Sequence, residues 1–131
     1  MNLTAYEHTN GAVVVYNERV TAIGGIGSDR KVEVSDGISW NDTVIPQVGN
    51  TNSEVLAEFT ALVVEAVLYV FGGVAQYKPE YVPQMAVWKF GGNNNGLWES
   101  ETPFLRRTRF HRSFYFNGHI WHQSSSGNNT W

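Results

Sequence analysis

The sequence has no cysteine among its 131 residues. That excludes disulfide scaffolds, thiolate metal sites and a cysteine nucleophile, and it is neutral about compartment. No stretch reaches the ~18 apolar residues that a membrane helix needs; the longest, 55–74, is broken by Glu58 and Glu65. Residues 1–7 lack the basic and apolar regions of a signal peptide, so a cytosolic chain is expected unless Met1 is not the natural start. Gly-x-Ser-x-Gly, phosphate-loop and zinc-protease motifs are all missing. Acid is missing from one end: residues 1–101 hold all 12 acids and five bases, whereas 102–131 hold Arg106, Arg107, Arg109 and Arg112 and no acid. With no lysine-rich run or nucleic-acid motif beside them, these arginines read as counter-charge for the acidic remainder, and no nucleic-acid or membrane partner is expected.

What is present is material for a core. The chain is 42% hydrophobic and only 16% charged, which places it with single globular domains rather than disordered chains. Thirteen glycines and 12 asparagines supply turns for many short strands. One pattern occurs three times, at 14–25, 62–73 and 114–125: three apolar residues, a break of three, further apolar residues and a small pair. The offsets of 48 and 52 residues point to a repeat architecture, in which one unit cannot bury its own apolar face.

Within the first copy, Val13 to Tyr16 and Val20 to Ile23 read as a hairpin across Asn17, Glu18 and Arg19. Lys31-Val32-Glu33-Val34-Ser35 alternates as a half-buried strand does, and Ile38-Ser39-Trp40 begins a fourth strand after Asp36-Gly37. In the second copy, 53–68 also fits a helix. Ser53 serves as N-cap and apolar residues fall at 55, 56, 59, 62, 63, 66 and 67, which would make the fold α+β. The repeat register favours strand from Thr60 onward.

The double glycines Gly24-Gly25 and Gly72-Gly73, each after an apolar run and before a tryptophan (Trp40, Trp98), resemble the kelch repeat of β-propellers. Arg109 to Ser113 with Phe116 to Trp121 looks like the start of a further repeat. The resemblance covers 11–131. It implies an all-β, kelch-like β-propeller array with blade 1 at 11–45, blade 2 at 58–103 and a partial blade 3 at 107–131. Gly24-Gly25 and Gly72-Gly73 let neighbouring backbones approach where a side chain would clash, and Trp40 and Trp98 are expected to be buried plugs in equivalent places. Copy three departs, with Gln123-Ser124-Ser125 in place of the double glycine. Two and a half blades fall short of the four to eight of closed propellers. The chain is thus expected to be a fragment of a longer propeller, to self-associate into a homo-oligomer, or to be an open array with a covered edge.

No catalytic set, cofactor or metal site is expected, and the chain is read as a non-enzyme. His119 and His122 are three apart and face opposite sides of a strand. Asp29, Glu33 and Asp36 lie close in sequence, and the ordinary reading is a solvated loop. In propellers, inter-strand loops make a broad binding surface. Here they place Asp29, Arg30, Tyr77, Tyr81 and Asn94 as binding residues, with the two tyrosines among prolines as the main contacts. The expected function is a protein–protein interaction module; the alternative is a propeller-type enzyme or carbohydrate-binding domain with a loop-built site.

Overall fold

Short β-branched and aromatic runs, each followed by residues that accept a left-handed backbone, fold into hairpins. The computed structural model describes residues 3–51, 54–75, 82–92, 96–103, 112–124 and 127–130. β1 (Ala12–Tyr16), β2 (Arg19–Gly25), β3 (Asp29–Ser35) and β4 (Trp40–Asn41) form an antiparallel meander in that order. The chain continues through β5 (Leu56–Ala57), β6 (Thr60–Val64), β7 (Val67–Phe71), β8 (Val74–Ala75), β9 (Val82–Pro83), β10 (Val87–Phe90) and β11 (Glu99–Glu101). Of these, β6, β7, β10 and β11 make a second four-stranded sheet, and β5, β8 and β9 a small one. β12 (Arg112–Phe116), β13 (His119–Ser124) and β14 (Gly127–Thr130) make the third large sheet. The fold is all-β.

Each large sheet opens with a two-residue turn whose central residues both have positive φ: Asn17 and Glu18 (51° and 64°), Glu65 and Ala66 (51° and 65°), Asn117 and Gly118 (54° and 78°). That backbone matches the right-handed twist of the paired strands. The turns are 48 and 52 residues apart, the offsets of the apolar pattern. The helix at 53–68 is overturned: among the described residues the only helical piece is a 3₁₀ turn at Val48–Asn50. Its two interrupting acids sit where the chain bends, Glu65 in the turn and Glu58 at a left-handed corner (φ 58°). Pairing of β7 with both β6 and β10 overrides the helix propensity of the Ala, Leu and Glu residues.

The first strands lie side by side, β1 against β6 and β6 against β12, and the sheets fan out from that line. We call the face a sheet turns to the next one its front. The front of the first sheet (Val14, Ile23, Val32, Val34) packs on the back of the second (Ala61, Val63, Leu68, Val70, Phe90, Trp98). The front of the second (Leu62, Val64, Phe71, Val87) packs on Ile120 of the third.

The double glycines are crossing points. A Cβ on Gly25 would lie 2.7 Å from the Thr9 carbonyl oxygen, and one on Gly73 would lie 2.6 Å from that of Ala57. Both glycines have φ near 90° as well, so a side chain is excluded twice over. The match extends around the corner. Thr9 bridges Ile26 as Ala57 pairs with Val74, and Asn10 and Glu58 share φ values of 57° and 58°. The repeated geometry therefore begins two residues before position 11.

Registers align the tryptophans. Val63, Leu68, Phe90 and Trp98 form one row across the second sheet, and Val15, Val20, Ser35 and Trp40 form the matching row across the first. Trp98 is 3% exposed. Its ring nitrogen donates to the Pro46 carbonyl at 2.8 Å, and its backbone is held on both sides by the Asn50 amide at 2.8 Å. Trp40 is only half-buried, which corrects the expectation of two equal plugs. It lies on the back of the first sheet, and among the described residues no further sheet lies there. Trp98→Ala is accordingly expected to cost about 3–5 kcal/mol by cavity creation, and Trp40→Ala about 1–2 kcal/mol. Urea unfolding of the two variants checks this; equal losses would overturn the assignment of faces.

Candidate functional site

Antiparallel meanders separate the connections into two ends. The hairpin turns at 17–18, 65–66 and 117–118 and the third-to-fourth-strand connections lie at one end, the turn end. The second-to-third-strand connections, the small sheet and residues 3–10 lie at the other, the loop end.

Asp29 is exposed at the loop end, in a left-handed conformation (φ 57°). Arg30 is beside it in sequence but buried. Its Nε donates to the Glu54 carbonyl at 3.1 Å and its Nη1 to the Val48 carbonyl at 3.4 Å. Burial lowers the guanidinium pKa, and the Glu54 carboxylate opposes that shift. Arg30 is therefore a brace between the first sheet and the chain entering the second, rather than a contact residue. Tyr77, Tyr81 and Asn94 lie outside the described residues. The connection holding Asn94 leaves from the turn end, because a Cβ on Gly91 would meet the Tyr16 hydroxyl at 2.7 Å and the Ala66 carbonyl at 3.0 Å. Asp29, Glu33 and Asp36, close in sequence, do not gather. Asp36 is exposed at the turn end, whereas Glu33 is fully buried and not a solvated loop residue.

Glu33 organises a feature that the sequence did not announce. It sits on the back of β3, under residues 3–10. Its carboxylate accepts the Ala5 N–H at 2.8 Å, the Tyr6 N–H at 3.1 Å and a contact from His8 Nε2 at 2.7 Å. The other nitrogen of His8 meets the Gly24 carbonyl at 2.7 Å. Both ring nitrogens of His8 thus lie against oxygen atoms, one of a carboxylate and one of a backbone carbonyl. Lys31 stands 4.8 Å from the centre of the Tyr6 ring and closes the strap. Alternation along β3 puts Glu33 opposite Val32 and Val34, but nothing in the sequence says that the polar face is covered.

A second polar group bridges sheets at the start of β6, also at the loop end. The Thr60 and Ser113 hydroxyls are hydrogen-bonded, and Ser113 Oγ meets His122 Nδ1 at 2.6 Å. His122 is buried, edge-on to Phe71 with ring centres 4.6 Å apart, whereas His119 is exposed. The chain hydroxyl–hydroxyl–imidazole is an arrangement with proton-transfer chemistry. Among the described residues no three His, Asp or Glu side chains gather to hold a metal ion, and no helix is long and apolar enough to cross a membrane. The turn end carries a cleft of about 350 Å³ lined by Tyr16, Arg19, Ile45 and Phe90 among others; burial there raises the pKa of the Tyr16 hydroxyl.

Compared with known protein families and with curated proteins, the sequence gives no match. Sixty-two chains of solved structures do match. One, described as "Structure of YjhT", superposes with a TM-score of 0.69 at 18% identity, over 94% of this chain and 36% of that one. The two share a fold. This chain spans about a third of the length of that structure.

Two predictions follow from the polar groups. Glu33→Ala strands two backbone donors and the His8 ring, and is expected to cost about 3–5 kcal/mol while hydrogen exchange at the Ala5 and Tyr6 amides accelerates. Unchanged exchange there would show that Glu33 does not hold the strap. At the turn end, backbone N–H groups of Ser39 and Ile38 lower the Asp36 pKa. Its contribution is complete above the ordinary carboxylate range and is lost as pH falls through the depressed folded value. Asp36→Ala is expected to narrow the difference from wild type on acidification, measured as the urea midpoint against pH.

Proposed function

We propose that this chain is a kelch-like β-propeller segment whose loop end binds a protein partner. The antiparallel meanders, the paired glycines at equivalent corners and the fold shared with a chain of which this one covers 36% support the propeller reading. The observation that carries the binding reading is the bracing of the loop end. Arg30 and Glu33 are both buried and bonded to backbone groups of separate segments. Bracing of this kind holds a surface in a fixed shape and lowers the ordering cost of association. The exposed Asp29 lies on that surface. No nucleic acid, membrane or cofactor enters this reading.

The Thr60–Ser113–His122 group favours a second reading, a carbohydrate-binding or enzymatic site at the same end. Affinity capture and a glycan array, run with Asp29→Arg and Ser113→Ala, separate the two. Asp29→Arg is expected to abolish capture of a protein partner while Ser113→Ala leaves it intact. Glycan binding that Ser113→Ala abolishes would replace the first reading with the second.

A further inference from the structure

At the turn end, the front of the first sheet finishes in a polar pair. Tyr16 and Arg19 bracket the first hairpin turn and lie directly opposite each other, so their side chains share one face. The pair that brackets the second hairpin turn is Val64 and Val67, so a hairpin of this kind closes without a hydroxyl or a guanidinium. Tyr16 and Arg19 both line the cleft of about 350 Å³ between the first sheet and the second. Its floor is apolar: Val34 from β3, Ile45 from the connection after β4 and Phe90 from β10 are all buried. Tyr16 stands edge-on to Phe90 with ring centres 6.1 Å apart. Gly91 leaves room for its hydroxyl, since a Cβ there would lie 2.7 Å away. Among the described residues, neither the Tyr16 hydroxyl nor the Arg19 guanidinium makes a hydrogen bond or an ion pair. The Asp36 carboxylate feels the Arg19 charge, but it is taken up by the Ile38 and Ser39 N–H groups and the Ser39 hydroxyl.

We infer that this cleft binds a small monocarboxylic acid with an aromatic or branched apolar body. The body covers Val34, Ile45 and Phe90, and the carboxylate accepts hydrogen bonds from the Arg19 guanidinium and the Tyr16 hydroxyl. An apolar floor with a few polar groups at its edge is the usual make-up of a small-molecule site. A guanidinium offers a carboxylate two parallel donors, and such charge-assisted bonds are the stronger polar contacts. Burial raises the Tyr16 pKa, so the hydroxyl keeps its proton and remains a donor at neutral pH. The Asp36 charge beside Arg19 disfavours a dianion such as a phosphate monoester and suits a single negative charge.

The cleft lies at the opposite end of the strands from Asp29, so the inference goes beyond the loop-end reading and does not depend on it. The test is titration followed by methyl NMR at Val34 and Ile45, with two matched pairs of probes: 3-phenylpropanoate and 3-phenylpropanamide, and 4-methylpentanoate and its amide. At least one acid is expected to give saturable shifts at both residues, and its amide to bind about tenfold more weakly. That ratio is read on the unmutated protein, so it does not depend on the folding of a variant. Arg19 is exposed, and Arg19→Gln, checked by a cooperative melt, is expected to erase the preference for the acid while leaving the amide unchanged. Shifts that fail to saturate at millimolar concentration with either acid overturn the proposal. So do equal affinities for acid and amide, saturable shifts confined to residues outside the cleft, and a preference that survives Arg19→Gln.

Discussion

Leu56 to Phe59 pass between two pairs of glycines, and the relation of one sheet to the next follows from that crossing. A Cβ on Gly24 would lie 3.0 Å from both the Leu56 carbonyl oxygen and the Phe59 ring, and one on Gly73 would lie 2.7 Å from Phe59 Cβ. The first glycine of one unit makes room for the entry of the next unit, and the second glycine makes room for the entry of its own. Any side chain there would force apart segments that are in close contact. The pitch between sheets is thus set by close approach of main chain, and the apolar faces fill the space that the crossing leaves.

Burial in this molecule depends on position in the array as much as on residue type. Trp40 and Trp98 occupy the same row of their sheets, yet only Trp98 is fully buried, because the second sheet has a neighbour on its back and the first, among the described residues, has none. Val13 and Ala61, or Phe114 and Leu62, show the same contrast. A sheet face is buried only where another segment packs on it, so among the described residues the back of the first sheet and the front of the third carry apolar residues in the open. Residues 3–10 answer part of that problem by laying backbone donors over Glu33.

The polar interior follows a similar logic. Arg30, Glu33 and His122 are buried, and Thr60 and Ser113 half-buried, where two segments meet, and the bonds of Arg30, Glu33 and Thr60 reach partners distant in sequence. Buried polar groups left without partners cost far more than satisfied ones return, so these contacts restrict which segments pair as well as how firmly they do so. They concentrate at the loop end, where the chain passes between strands and its backbone groups are not all taken up by ladders.

Because period-two alternation, residues tolerant of positive φ and paired glycines act through local sterics, the sequence by itself determined the strands of the first sheet, the three hairpins and their spacing, but not the small sheet of β5, β8 and β9 or strand β14. It also marked Asp29 as exposed and separated His119 from His122 by strand parity. What it did not determine was which polar residues are buried. Arg30 reads as a loop cation and Glu33 as a solvent-facing acid until distant residues, 48 and 54 for the one and 5 to 8 for the other, are brought over them. The helix propensity of 53–68 yielded for the same reason: strand pairing on both sides of β7 outweighs a local preference. Ladder partners, and the cover that a neighbouring sheet supplies, are long-range contacts, and only the tertiary structure decided them.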